Sequence, residues 1–134
     1  MVRTRFAALL LIPLAFLLMG AALLVEPEPI AVPAHLSAKD VSKAIRAGVV
    51  ERGWVVMKDE NGKIDVQLNN RTHVVVLAIA YDTKQVKVTY VSSQNLDYDE
   101  KGGVRHIHKK YNQWVQNVVA DISRQLQVAS IGHE

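Results

Sequence analysis

Six side chains able to donate, accept or carry charge fall where the sequence places turns, strand ends and the start of a long helix: Arg71, His73, Asn95, His108, Tyr111 and Asn112. Two arrangements would bring them together. In the first they line a small polar site for an anionic or sugar-like ligand, with the Arg71 guanidinium supplying the charge. In the second they form a hydrogen-bond network that pins residues 92–105 to a sheet and satisfies buried backbone groups. The second is favoured. Tyr111 and Trp114 lie on the inner stripe of the predicted helix and read as core rather than as a ligand platform.

Other constellations are weaker. His106-Ile107-His108 invites a metal reading, because imidazole is a common zinc ligand. Residues two apart share a face on a strand but diverge on a helix, and nothing in the sequence converges His73 or His133 on the pair. Asp97, Asp99 and Glu100 lack the spacing and terminal glutamate of a calcium loop. Ser92 and Ser93 follow a predicted strand and His73 stands near that end of the sheet, but no orienting acid or nucleophile elbow accompanies them. With no cysteine in 134 residues, disulfides, thiolate metal sites and thiol nucleophiles are excluded. No phosphate loop or dinucleotide fingerprint occurs, so the sequence implies no metal, no cofactor and no enzymatic reaction.

The elements that would position these residues read as helix, four-stranded antiparallel meander, helix, making a two-layer α+β domain over residues 37–130. Ser37 and Asp40 have the spacing of a capping box, and Gly53 suits a left-handed stop, so the first helix spans about 38–52. Asn61-Gly62 predicts a two-residue hairpin pairing Val55 with Leu68, Met57 with Val66, Lys58 with Asp65 and Glu60 with Lys63. Strands over 73–81 and 85–91 pair Tyr81 with Val86, Ile79 with Val88 and Leu77 with Tyr90. Residues 69–72 turn the chain between the middle strands, with asparagine the residue suited to a left-handed backbone. Residues 92–105 read as a polar loop. From about His106 a second helix carries Ile107, Tyr111, Trp114, Val118, Ile122 and Leu126 on one face.

Arg3 and Arg5 precede an uncharged run over residues 6–25, the order of a positive flank and an apolar segment. Residues 1–25 are therefore expected to be a signal peptide or an uncleaved membrane-anchoring helix. Glu26-Pro27-Glu28-Pro29, with Pro33 after it, makes residues 26–36 a stiff linker. Val32-Pro33-Ala34 offers small residues to a signal peptidase. The positive flank places the domain across the membrane from the cytoplasm, in the periplasm of a cell envelope.

The constellation Gly53-Trp54, Arg71-x-His73, Ile79-x-Tyr81, Ser93-x-Asn95-Leu96-x-Tyr98 and Ile107-His108-x-x-Tyr111-Asn112-x-Trp114 resembles a group of small proteobacterial envelope lipoproteins with no assigned activity. It covers residues 39–126, and its last element is the most specific. The resemblance implies an envelope location and a helix–meander–helix fold, and no reaction. Ala21 stands where that group carries its acylated cysteine, which excludes lipidation at this position.

The formal charge of +3 is modest, but Lys101, Arg105, Lys109 and Lys110 gather near the start of the last helix. The function expected from the sequence is an exported or membrane-anchored, non-catalytic interaction domain. Its partner would be another envelope protein or an anionic membrane or cell-wall component, with the membrane itself engaged by the amino-terminal helix if uncleaved. Nucleic acid is not expected. The alternative is a periplasmic small-ligand receptor built on Arg71, His73 and His108.

Overall fold

The computed structural model describes residues 20–133. In chain order the elements are β1 (Ala21–Leu23), β2 (Ile30–Ala31), α1 (Ala38–Glu51), β3 (Val55–Glu60), β4 (Lys63–Asn70), β5 (His73–Tyr81), β6 (Gln85–Gln94), β7 (Asp99–Lys101), β8 (Val104–His108) and α2 (Lys109–Ile131). They build an α+β fold with a five-stranded antiparallel sheet, β2-β6-β5-β4-β3, and a three-stranded one, β1-β8-β7.

The first helix starts and stops as its sequence dictates. Ser37 Oγ accepts from the Asp40 N–H at 3.1 Å, and the Asp40 carboxylate accepts from the Ser37 N–H at 2.9 Å. At the other end Gly53 adopts φ +85°, and the Gly53 and Trp54 N–H groups reach back to the carbonyls of Val50 and Val49. The helix buries Val41, Ile45 and Val49 against the inner sheet face, whose Ile64, Val66, Leu68, Val75, Leu77, Ile79, Val86 and Val88 share one core with Val118, Ile122 and Leu126 of α2. Gly48 permits a close approach of the helices, since a Cβ there would lie 2.9 Å from the Ile122 backbone nitrogen.

The meander's register follows its turns. Tyr81 pairs with Val86, Ile79 with Val88 and Leu77 with Tyr90, while Val66 opposes Leu77 and Leu68 opposes Val75. In the first hairpin Glu60 opposes Lys63 and Lys58 opposes Asp65, as the Asn61-Gly62 turn requires. Beyond them the expected pairs Met57–Val66 and Val55–Leu68 do not form. A bulge after Val56 sets Val56 opposite Val66 and Val55 opposite Gln67, leaving Met57 unpaired and exposed. One inserted residue exchanges the two faces of an edge strand. Here it turns Val56 toward the core while Asp59, opposite Ile64, reaches Arg46 of α1 at 3.5 Å. The left-handed residue in the β4–β5 turn is Arg71, at φ +56°, rather than either asparagine.

Three further differences separate the structure from the sequence expectation. Residues 92–105 are not one polar loop: β6 runs on to Gln94, and Gly102-Gly103, both at positive φ, close a β7–β8 hairpin. Consequently His106, Ile107 and His108 belong to a strand, and the second helix starts at Lys109. Finally, the stretch 26–36, expected as a stiff linker, docks on the sheet through Ile30 and Val32. Ile30 is buried opposite Val86, the Val32 N–H donates to the Lys84 carbonyl at 3.0 Å, and Leu24 and Val32 pack on the core. The described end of the apolar run, at Ala21–Leu23, is the edge strand β1 rather than helix, with Ala22 opposite Ile107. The expected signal or anchor helix otherwise falls in residues 1–19, outside those described. None of the helices among the described residues is long and apolar enough to cross a membrane.

Candidate functional site

The start of α2 is where the predicted polar residues meet, and they separate into two groups with different tasks. The first group fastens the amino-terminal strand. Asn112, on the first turn of α2, donates from Nδ2 to the Leu23 carbonyl at 2.8 Å and accepts at Oδ1 from the Val25 N–H at 3.0 Å. This carboxamide thus serves the free edge of β1 as a neighbouring strand would. The opposite edge is held by β8, and the Leu24 N–H continues that ladder to the Arg105 carbonyl at 3.0 Å. Arg105 reaches Glu26 at 2.7 Å, and that hydrogen bond raises its guanidinium above the ordinary arginine value. His108 caps α2, its Nδ1 accepting from the Lys110 N–H at 3.1 Å. Its own N–H donates to the Leu96 carbonyl at 2.8 Å. Tyr111 is 1% exposed and meets Tyr90 edge-on, with centroids 5.5 Å apart. Burial pushes the Tyr111 phenol far up, and the charges of Glu26 and Tyr90 add to that shift.

The second group pins residues 95–98. Asn95 and Asp97 both take left-handed backbones, at φ +60° and +54°, which turns the Leu96 side chain inward to 1% exposure. Asn95 Nδ2 donates to the Thr72 hydroxyl at 2.6 Å. His73 Nδ1 lies 2.7 Å from the Asn95 carbonyl, which only accepts, so this nitrogen carries the proton. Tyr98 stacks on Tyr90 at 4.6 Å, and the Tyr90 hydroxyl meets Ser93 Oγ at 2.8 Å. The Ser93 hydroxyl is thereby engaged by a tyrosine and not by His73, so the serine–histidine pairing weighed from the sequence does not form.

Arg71 belongs to neither group. It lines an open groove with Asn70, His73, Lys110, Gln113, Trp114 and Asn117. The His73 and Trp114 rings are 5.9 Å apart along its wall, while His108 is not among the lining residues. His106 Nδ1 lies 3.4 Å from Asp99 on the neighbouring strand. Among the described residues, no group of three or more His, Asp or Glu side chains is placed to hold a metal ion.

Sequence reasoning found Asn112, His73, Asn95 and Tyr111 but missed their partners. Leu23, Val25 and Thr72 take part mainly through backbone groups or a lone hydroxyl. Glu26 and Arg105 are 79 residues apart, with no local pattern to join them. No protein-family model matches the chain, and no curated protein and no solved structure matches it either. The resemblance to envelope lipoproteins therefore rests on the residues quoted for it.

Proposed function

We propose that this chain is a non-catalytic, membrane-tethered interaction domain of a cell envelope, held by residues 1–19 and exposed on the periplasmic side. The observation that carries the reading is the double hydrogen bond from Asn112 to Leu23 and Val25. It ties the segment emerging from the apolar run into the domain, and it occupies polar groups that a ligand or a reaction would need. The Asn95 carboxamide and the Nδ1 atoms of His73 and His108 likewise have partners within the fold.

The partner class is another envelope protein or an anionic component of the membrane or wall. Exposed Arg71, Lys109 and Lys110 near the start of α2 support it. The small-ligand alternative draws less support, because the Arg71 groove is open and excludes His108.

Cell fractionation with mass determination of the mature amino terminus tests the reading. The expected product sits in the membrane fraction and begins upstream of Ala21. A soluble product beginning near His35 would contradict it, since such a chain lacks β1, β2 and every partner of Asn112.

A further inference from the structure

Two hollows meet at Trp114. The open groove beside Arg71, of about 460 Å³, and a smaller one toward Arg52, of about 250 Å³, are both lined by Asn70, Trp114 and Asn117. One wall is a single face of α2, where Lys110, Gln113, Trp114 and Asn117 recur at helical spacing over about 10 Å. The β4–β5 turn supplies the other wall with Asn70, Arg71 and His73. Arg52 and Trp54, just beyond α1, border the smaller hollow.

The charged side chains of this lining have one sign. Among the described residues, no aspartate or glutamate borders either hollow, whereas Arg52, Arg71 and Lys110 do. Arg52 is already paired with Asp121 at 2.7 Å. Arg71 and Lys110 have no carboxylate within ion-pair distance among the described residues, so they carry the net charge of the groove. Arg71 also holds the left-handed position of its turn, at φ +56°, a backbone that glycine or asparagine takes at less cost. A guanidinium thus stands at the groove where backbone geometry alone favours a smaller residue.

The neutral groups narrow the ligand. His73 Nδ1 is held by the Asn95 carbonyl at 2.7 Å, which leaves Nε2 of the neutral ring to accept a hydrogen bond. Asn70, Gln113 and Asn117 each present a donor and an acceptor, and the half-buried Trp114 presents an apolar ring beside them. A pyranose has an apolar C–H face and a rim of hydroxyls, which matches an indole bordered by carboxamides. Carboxylates on such rings would be met by Arg71 and Lys110. The open shape suits a chain lying across the groove better than a small molecule enclosed by it.

We infer that the groove between the β4–β5 turn and α2 binds a strand of acidic polysaccharide, with Trp114 stacking on a sugar ring and Arg71 and Lys110 pairing with carboxylates. The inference rests on the anionic-component reading above and names that component's chemistry.

Titration calorimetry on the full chain in a polyoxyethylene detergent tests it, with hexagalacturonate as the probe and maltohexaose as its uncharged counterpart. The expected result is saturable binding of the uronate, with the neutral sugar weaker by about tenfold or more. Arg71→Gly and Lys110→Gln should each weaken uronate binding about tenfold, with unchanged circular dichroism. Glycine suits the left-handed turn, so a loss in Arg71→Gly is not a loss of fold. Lys109→Gln, exposed next to Lys110 but outside the lining, should bind as the native chain does. Absence of uronate binding would overturn the inference, and so would equal binding of maltohexaose. An equal loss in Lys109→Gln would replace the groove by diffuse surface charge, and equal binding of polyglutamate would replace the glycan by an acidic peptide. Each of these results leaves the membrane tethering standing, since cell fractionation decides that separately.

Discussion

Asn112 is on an exposed helix start, yet its carboxamide closes a contact spanning 89 residues of sequence. Replacing it with alanine removes two hydrogen bonds to backbone groups, each contributing about 1 kcal/mol. Chemical denaturation should show Asn112→Ala destabilised by about 1–2 kcal/mol, with an m-value little changed. Asp121 offers a different test. It is 2% exposed between Arg52 at 2.7 Å and Arg124 at 3.0 Å. Burial alone pushes its carboxyl up, but hydrogen bonds and charge from the two arginines outweigh that and hold it below the ordinary value. A carboxyl depressed by folding contributes stability that is complete above its unfolded pKa, about 3.9, and is lost as pH falls through the folded value. Asp40 and Asp82, lowered by backbone N–H donors, add to the same trend. Thermal melts below about pH 5 should therefore fall more steeply for the native chain than for Asp121→Asn, and parallel slopes would refute the assignment. At this scale the sequence reveals which residues are polar at strand ends. It hides their roles, because a carboxamide that serves a strand looks the same as one that binds a sugar until its partner is known.

Two hairpins were legible from their turns. Asn61-Gly62 and residues 82–84 set their hairpins, and the β5–β6 register follows residue for residue up to the bulge opposite Val76 and Leu77. The capping box and Gly53 bound the first helix equally well. Bulges escaped, since an extra residue at Met57 leaves the local composition unchanged while exchanging the faces. The β7–β8 hairpin escaped because its strands are short and polar, and the helical spacing of Ile107 with Tyr111 continued through them. Gly48 gives the element-scale prediction. Alanine is the better helix former by about 1 kcal/mol, but its Cβ would press on the Ile122 backbone, which cannot swing aside as a flexible side chain would. Gly48→Ala should destabilise the fold by about 1–3 kcal/mol, measured by denaturant titration. Stabilisation would show that the two helices separate easily.

For the whole molecule, the consequence is that the described fold reaches back at least to Ala21, as the Ala21–His108 pairing shows. An uncharged stretch that ends in a strand looks, in sequence, like the tail of a signal or anchor, and prolines after it look like a linker. What reveals otherwise is long-range: β8 and β6 each take an amino-terminal partner strand. A chain starting at His35 would lose the burial of Ile30, worth about 2 kcal/mol, and would bare the edges of β6 and β8. It should melt earlier and aggregate, whereas a chain starting at Gly20 should fold and remain monodisperse in light scattering. The most direct test of the central claim, that the polar cluster is the clasp of an integrated amino-terminal strand, is hydrogen exchange by mass spectrometry on the full chain and on Asn112→Ala. Slow exchange is expected for the Leu24, Val25 and Val32 amides in the native protein, with selective acceleration at Leu24 and Val25 in the variant. Exchange of residues 21–32 at free-peptide rates in the native protein would contradict it.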